Sequence, residues 1–124
     1  MAVDDGVVWF LRTSEEELGA VRVLRLEGRV SSATAAELDR RLAHVDPDRC
    51  RGLVVDLSGL DYINGAGLRV FQTAAARLAG ATCELVVCGL RPAVQTAFDL
   101  AGEIPHLSVE PDRNAAVRRL LGDG

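Results

Sequence analysis

The stretch Val54-Val55-Asp56-Leu57-Ser58-Gly59-Leu60-Asp61-Tyr62-Ile63-Asn64-Gly65-Ala66-Gly67-Leu68-Arg69 runs from an apolar segment through turn-forming residues into a glycine-rich helix start. Leu53 to Leu57 is a short apolar run closed by Ser58 and Gly59, the pattern of a central strand covered on both faces. The helix that follows carries Leu68, Phe71, Ala75 and Leu78 on one face, with Gly80 placed as its C-terminal cap. A helix N-terminus at the end of a buried strand turns backbone N–H donors outward, which makes this junction a candidate docking or ligand site.

The flanking sequence extends the pattern in both directions. Upstream, Val7 to Leu11 and Val21 to Glu27 read as strands, and the acidic turn Ser14-Glu15-Glu16-Glu17-Leu18-Gly19 between them predicts an antiparallel hairpin. After Gly28-Arg29-Val30, the hydroxyls of Ser31, Ser32 and Thr34 offer capping oxygens, and Thr34 with Glu37 has capping-box spacing. Ala35, Leu38, Leu42 and Val45 then give a helix one apolar face, and Pro47 marks its end. Downstream, Glu84 to Cys88 reads as another buried strand. Pro92 opens a helix with Val94, Ala97, Phe98 and Ala101 on a shared face and Gly102 at its end. Leu107 to Val109 predicts a short last strand, and Asp112 caps a terminal helix through Leu121.

This order implies an α/β fold: a mixed, mainly parallel sheet that begins with one antiparallel hairpin and carries about four helices on right-handed crossovers. Such crossovers bring the loops after successive parallel strands to one end of the sheet. Ser31, Ser32 and Thr34 are therefore expected on the same edge as the helix start at Gly65.

Composition narrows the function classes. With 124 residues, 48% of them hydrophobic, the chain fits one domain spanning 1–124. A net charge of −4 and the absence of a long cationic run argue against a nucleic-acid partner; Arg118 and Arg119 read as charges completing the last helical turn. No apolar run reaches the roughly eighteen residues that a membrane span needs, and Met1 to Gly6 lacks the character of a signal peptide, which points to the cytoplasm. Cys50, Cys83 and Cys88 are odd in number and lack Cys-x-x-Cys spacing, so neither a disulfide framework nor a zinc site is expected. The chain has no lysine, which excludes Schiff-base chemistry and a phosphate-loop lysine.

No set of side chains assembles into a reaction centre. Asp56 and Asp61 are spaced so that they could hold magnesium or act as acid and base, but aspartates in such turns commonly bond nearby backbone donors. His44 and His106 have no acid–nucleophile pattern around them, Ser58 lacks a histidine partner, and Gly65-Ala66-Gly67 has Val70 where a dinucleotide fingerprint needs its third glycine. No cofactor or metal is expected. Two readings of Gly65 and Gly67 stay open: close approach by a partner, or tight packing at the strand-to-helix turn.

Asp-Leu-Ser-Gly-Leu-Asp-Tyr-Ile at 56–63, followed by Gly67-Leu68-Arg69, resembles the signature of the STAS domain, the family of bacterial anti-sigma factor antagonists and related regulatory modules. The resemblance extends over the hairpin, Gly28-Arg29-Val30 and the helix pattern. It implies a non-enzymatic regulator of transcription that works by partner switching: it binds an anti-sigma factor, often a serine kinase of the histidine-kinase-like ATPase fold, and frees a sigma factor. ATP would belong to that kinase. The position matching Gly65 is, in typical members, the serine that the kinase phosphorylates, so the resemblance implies an antagonist without phosphorylation control there, with Ser31 and Ser32 as alternative acceptors. The surface expected to meet the partner comprises Ser31, Ser32, Thr34, Asp56, Ser58, Asp61, Asn64, Gly65, Ala66, Gly67, Leu68 and Arg69. The alternative role within the family is a subunit that binds a transporter ATPase, or a scaffold of a larger sensory assembly.

Overall fold

A computed structural model describes residues 2–4 and 7–122, so the expectation for Met1 to Gly6 falls partly outside the described residues. Its sheet has five strands in the order β3-β4-β5-β6-β7, with β3 Leu11–Leu18, β4 Val21–Val30, β5 Gly52–Ile63, β6 Glu84–Cys88 and β7 Leu107–Glu110. Only β3 runs antiparallel to its neighbour; β4 to β7 are parallel. The crossovers are α1 Ala35–Ala43, α2 Gly65–Ala79 and α3 Pro92–Ala101, and α4 Arg113–Leu121 follows β7. The expected mixed, mainly parallel sheet with an opening hairpin and four helices is the observed one.

Alternation along the strands divides the core. Leu24, Leu26, Leu53, Val55, Leu85 and Val87 face α1, α2 and α3, where Leu38, Leu42, Phe71, Leu78, Val94 and Phe98 cover them. Val21, Val23, Val54, Val86 and Cys88 point to the other face, where Ala116 and Leu120 of α4 close over them. Phe71 and Phe98 meet at 5.8 Å between ring centroids and tie α2 to α3.

The hairpin differs from its sequence reading. Ser14 to Leu18, expected as a turn, belong to β3; the turn is Gly19-Ala20, with Gly19 at φ +64°, and Leu18 pairs with Val21. The acids remain in a strand because β3 is an edge with solvent beyond it: Arg22 reaches Glu15 and Glu17, each at 3.4 Å, and Arg113 of α4 pairs with Glu16. Val7–Trp9 (β2) is not part of this hairpin and pairs instead with Ala2–Asp4 (β1) in a separate two-stranded ribbon.

Two local expectations are also corrected. The capping box does not form: the Thr34 hydroxyl donates to the Arg29 carbonyl at 2.8 Å and accepts from the Ser31 amide at 3.0 Å, which holds it in the loop, while Glu37 pairs with Arg40 and Arg41. Gly80 is the C-cap of α2, as expected, its amide donating to the Ala76 carbonyl at 3.3 Å, and the left-handed residue that reverses the chain after it is Thr82 at φ +62°. Ser58 and Gly59, read as the turn residues that close the strand, lie inside β5, which runs on to Ile63 and is twelve residues long.

That prolongation sets up the site. β6 accompanies β5 only as far as the Asp56–Cys88 pair, whereas β4 follows it to the Val30–Ile63 pair. Register slips twice along the way, each time with one extra residue on β5, between Arg25 and Glu27 and again between Gly28 and Arg29. Gly59 lies at the first bulge, where a Cβ would stand 2.8 Å from the Leu26 carbonyl oxygen, so the bulge needs a residue without a side chain.

Candidate functional site

The N-terminus of α2 sits at the far tip of β5. Asn64 is its N-cap: the side-chain oxygen accepts from the amides of Ala66 at 3.1 Å and Gly67 at 3.3 Å, while its own amide donates to the Val30 carbonyl at 3.1 Å. One residue thus caps the helix and fastens it to the end of β4. The first turn, Gly65-Ala66-Gly67, carries no acid to offset the positive end of the helix dipole.

The two glycines do different things. Gly67 is buried, and a Cβ there would meet Val30 Cγ1 at 2.5 Å and Ile63 Cγ1 at 2.7 Å, so it lets α2 start tight against the strand ends. Gly65 is exposed, and the nearest atom to a Cβ there is Nη1 of Arg69 at 3.8 Å. Packing is the answer for Gly67. Position 65 has room for a side chain and carries none.

The loop after β4 lies alongside, as the crossover argument expected. The Ser31 hydroxyl accepts from the Ala33 amide at 3.2 Å and its carbonyl accepts from Ala35 at 2.8 Å. Ser31 and Thr34 are buried; Ser32 is exposed. Ser31 is therefore a loop-forming residue, and of the two alternative acceptor positions only Ser32 faces solvent. Leu68 turns half-inward against the main core, while Arg69 is exposed and makes no ion pair among the described residues.

Asp56 and Ser58 do not join this group. With its two bulges, the stretch of β5 between Asp56 and Ile63 is matched by five residue steps of β4, from Arg25 beside Asp56 to Val30 beside Ile63, roughly 17 Å. Asp56 is buried at the last β5–β6 pair, where it accepts from the Ser58 amide at 2.9 Å, the backbone role that sequence reasoning weighed against catalysis. Beside it, burial above all and then the Asp56 charge push the Cys88 thiol up to about 12. Cys83 is likewise pushed up to about 12, chiefly by burial. Cys50, Cys83 and Cys88 are all free and buried. Asp61 lies between the two groups and pairs with Arg91, whose Nε also donates to the Ser58 carbonyl at 2.7 Å.

Arg91 is the residue that sequence reasoning missed. It stands at the start of α3 and bridges to the unaccompanied edge of β5, and the signal for it would have been the excess length of β5 over β6. Among the described residues no group of three or more His, Cys, Asp or Glu side chains could hold a metal ion, and no helix is long and apolar enough to cross a membrane.

Comparison with known proteins agrees with this architecture. Residues 13–103 match the family model described as Mlab, STAS domain. A Bordetella bronchiseptica protein that bears the provisional name anti-sigma factor antagonist BtrV is 35% identical over 106 residues, covering 86% of this chain and 91% of that protein. The crystal structure of an anti-sigma factor antagonist from Mycobacterium paratuberculosis superposes with a TM-score of 0.82 at 23% identity, covering 91% of this chain and 96% of that one. The murine anion transporter Slc26a9 contains the same fold, with a TM-score of 0.79 at 12% identity over 93% of this chain and 23% of the transporter. Fold is thus shared between a small antagonist and part of a large transporter. The chain belongs to the STAS-domain family, among relatives named as anti-sigma factor antagonists.

Proposed function

We infer that the protein is a cytoplasmic anti-sigma factor antagonist that acts by binding rather than catalysis, as a single STAS domain, and that its partner is a serine-kinase anti-sigma factor of the histidine-kinase-like ATPase fold. The tip formed by Ser32, Asn64, Gly65, Ala66 and Arg69 is the docking surface, with Asp61 and Arg91 behind it. One observation carries this reading: position 65 is an exposed, unobstructed place at the start of α2, with 3.8 Å to the nearest neighbouring atom, and it holds a glycine. A glycine offers no hydroxyl to a kinase. The complex would therefore lack the release step in which a phosphate, adding a charge of about −1.5 to −2, must be desolvated against the partner.

The test is affinity purification of the tagged protein from its own cells, with mass spectrometry of the copurifying proteins, beside Gly65→Asp and Gly65→Ser variants. A kinase-like anti-sigma factor that binds the parent protein and is lost with Gly65→Asp supports the reading. Phosphate transferred to Gly65→Ser by that kinase would show that the docking geometry is intact and only the acceptor is missing. Recovery of a transporter ATPase or a multidomain sensor instead would overturn it in favour of the alternative family role.

A further inference from the structure

Two of the three cysteines meet at the base of the sheet, the end away from the α2 tip. Gly52 of β5 stands opposite Glu84 of β6, and the Glu84 amide donates to the Arg51 carbonyl at 3.3 Å, which carries the pairing one step beyond the strands. Cys50 and Cys83, just outside those strand ends, both belong to the core beneath α1, α2 and α3. A residue diagonal to its neighbour on an adjacent strand lies roughly 6 Å away from Cα to Cα, inside the range of about 4.4–6.8 Å that a disulfide spans. The two thiols are in direct contact: Cys83 is hydrogen-bonded with Cys50, whose own S–H donates to the Gly52 carbonyl at 2.9 Å. Each also reaches the wall of a surface hollow. Cys50, 5% exposed, lines one of about 430 Å³ with Pro47, Arg49 and Arg51, and Cys83 lines one of about 380 Å³ with Glu84 and His106. Thr82, at φ +62°, borders both. Cys88 lies on the opposite face of the sheet, among Val21, Val86 and Leu120, and has no part in this contact.

We propose that Cys50 and Cys83 are a modification site, a dithiol that low-molecular-weight disulfides oxidise to an internal Cys50–Cys83 bond and that small thiols reopen. Cys50, the more exposed of the two, is the entry point. Its thiolate attacks one sulfur of the oxidant; the oxidant's S–S bond breaks, and its second sulfur leaves as a thiolate and takes up a proton. Cys83 then loses its proton and attacks the Cys50 sulfur, displacing the remaining half of the oxidant as a second thiol. Two electrons and two protons pass in all from the protein to one small disulfide. Burial above all holds the Cys83 thiol up at about 12, so the second step is slow and the bond forms over hours rather than seconds. The closed loop encloses β5, the α2 tip and α2. Tying its ends removes freedom from the unfolded chain, which makes the oxidised protein the more stable form. The bond lies at the opposite end of β5 from Gly65, and its failure would leave the proposed function untouched.

The test uses the full chain, reduced and then held overnight without denaturant in oxidised glutathione. Thiols are counted by alkylation with N-ethylmaleimide in urea and mass spectrometry of the intact chain. The reduced chain should take up three alkyl groups, one per cysteine, and the oxidised chain only one, with neither a glutathione adduct nor a covalent dimer. The oxidised form should unfold roughly 10 °C higher, a gain that reductant reverses. Cys88→Ala should still close the bond and leave no thiol to alkylate. Cys83→Ala should stop at a glutathione adduct on Cys50, and Cys50→Ala should keep both of its remaining thiols. Three thiols still free in the parent chain, glutathione retained on it, an internal bond that survives Cys83→Ala, or an oxidised form that melts below the reduced one would overturn the proposal.

Discussion

Two glycines in one helical turn should respond to the same substitution with opposite signs. A methyl at Gly67 would lie 2.5 Å from Val30 Cγ1 and 2.7 Å from Ile63 Cγ1, and both side chains are buried at the strand ends with no space into which to swing. Overpacking of this kind costs about 1–3 kcal/mol, and alanine returns at most about 1 kcal/mol through helix propensity. Gly67→Ala should therefore destabilise by about 1–2 kcal/mol. A methyl at Gly65 meets only the mobile end of Arg69 at 3.8 Å, so there the reduced freedom of the unfolded chain dominates and the protein gains about 0.5 kcal/mol. Urea unfolding at equilibrium, followed by circular dichroism, should separate the variants by about 2 kcal/mol with the parent between them, a gap of roughly 8 °C in Tm. Shifts of the same sign would refute the assignment of Gly67 to packing and of Gly65 to open space.

Asn64→Ala removes the acceptor for two amides and should cost about 1 kcal/mol in the same assay, whereas Asn64→Asp should retain the cap. The Asp61–Arg91 pair is half exposed, so a double-mutant cycle on Asp61→Ala and Arg91→Ala should give a coupling energy below about 1 kcal/mol. The thiols of Cys83 and Cys88 are raised in the folded state to about 12. Their contribution to stability is complete below the ordinary thiol value near 8.5 and falls as pH climbs from there toward 12. Cys83→Ala combined with Cys88→Ala should move the midpoint of alkaline unfolding upward relative to its own stability at pH 7; an unchanged alkaline limb would contradict the burial argument.

Apolar periodicity revealed α1, α2 and α3, because each buries one face: Leu38 and Leu42, Phe71 and Leu78, Val94 and Phe98 all lie where the three- and four-residue spacing puts them, while α4 was read from its cap Asp112, whose carboxylate accepts from the Ala115 amide at 2.8 Å. Strand boundaries were less legible. Glu15 to Glu17 look like a turn in isolation and are held in a strand by Arg22 and Arg113, one of them distant in sequence. Ser58-Gly59 looks like a strand end because the residues that make bulges are those that make turns; only the companion strand β4 shows that the ladder continues. That error pulled Asp56 and Ser58 into the docking surface, since a turn would have folded them back toward Gly65 and a strand carries them away. The junction itself was legible, because Asn64 and the two glycines have local roles that neighbouring residues suffice to fix.

The open space at position 65 separates folding from function there. A Cβ fits without displacing any atom, so the glycine is not required by packing, and a negative charge would sit at the positive end of α2 with Arg69 within reach. Charge at that end of a helix contributes about 0.3–1 kcal/mol of stability. Gly65→Asp should therefore melt at or slightly above the parent temperature, and any loss of partner binding in that variant must arise at the interface, where the carboxylate is desolvated, and not from a loosened fold. A Tm lowered by more than a few degrees would break this separation, and the binding loss could then be read as unfolding of the tip.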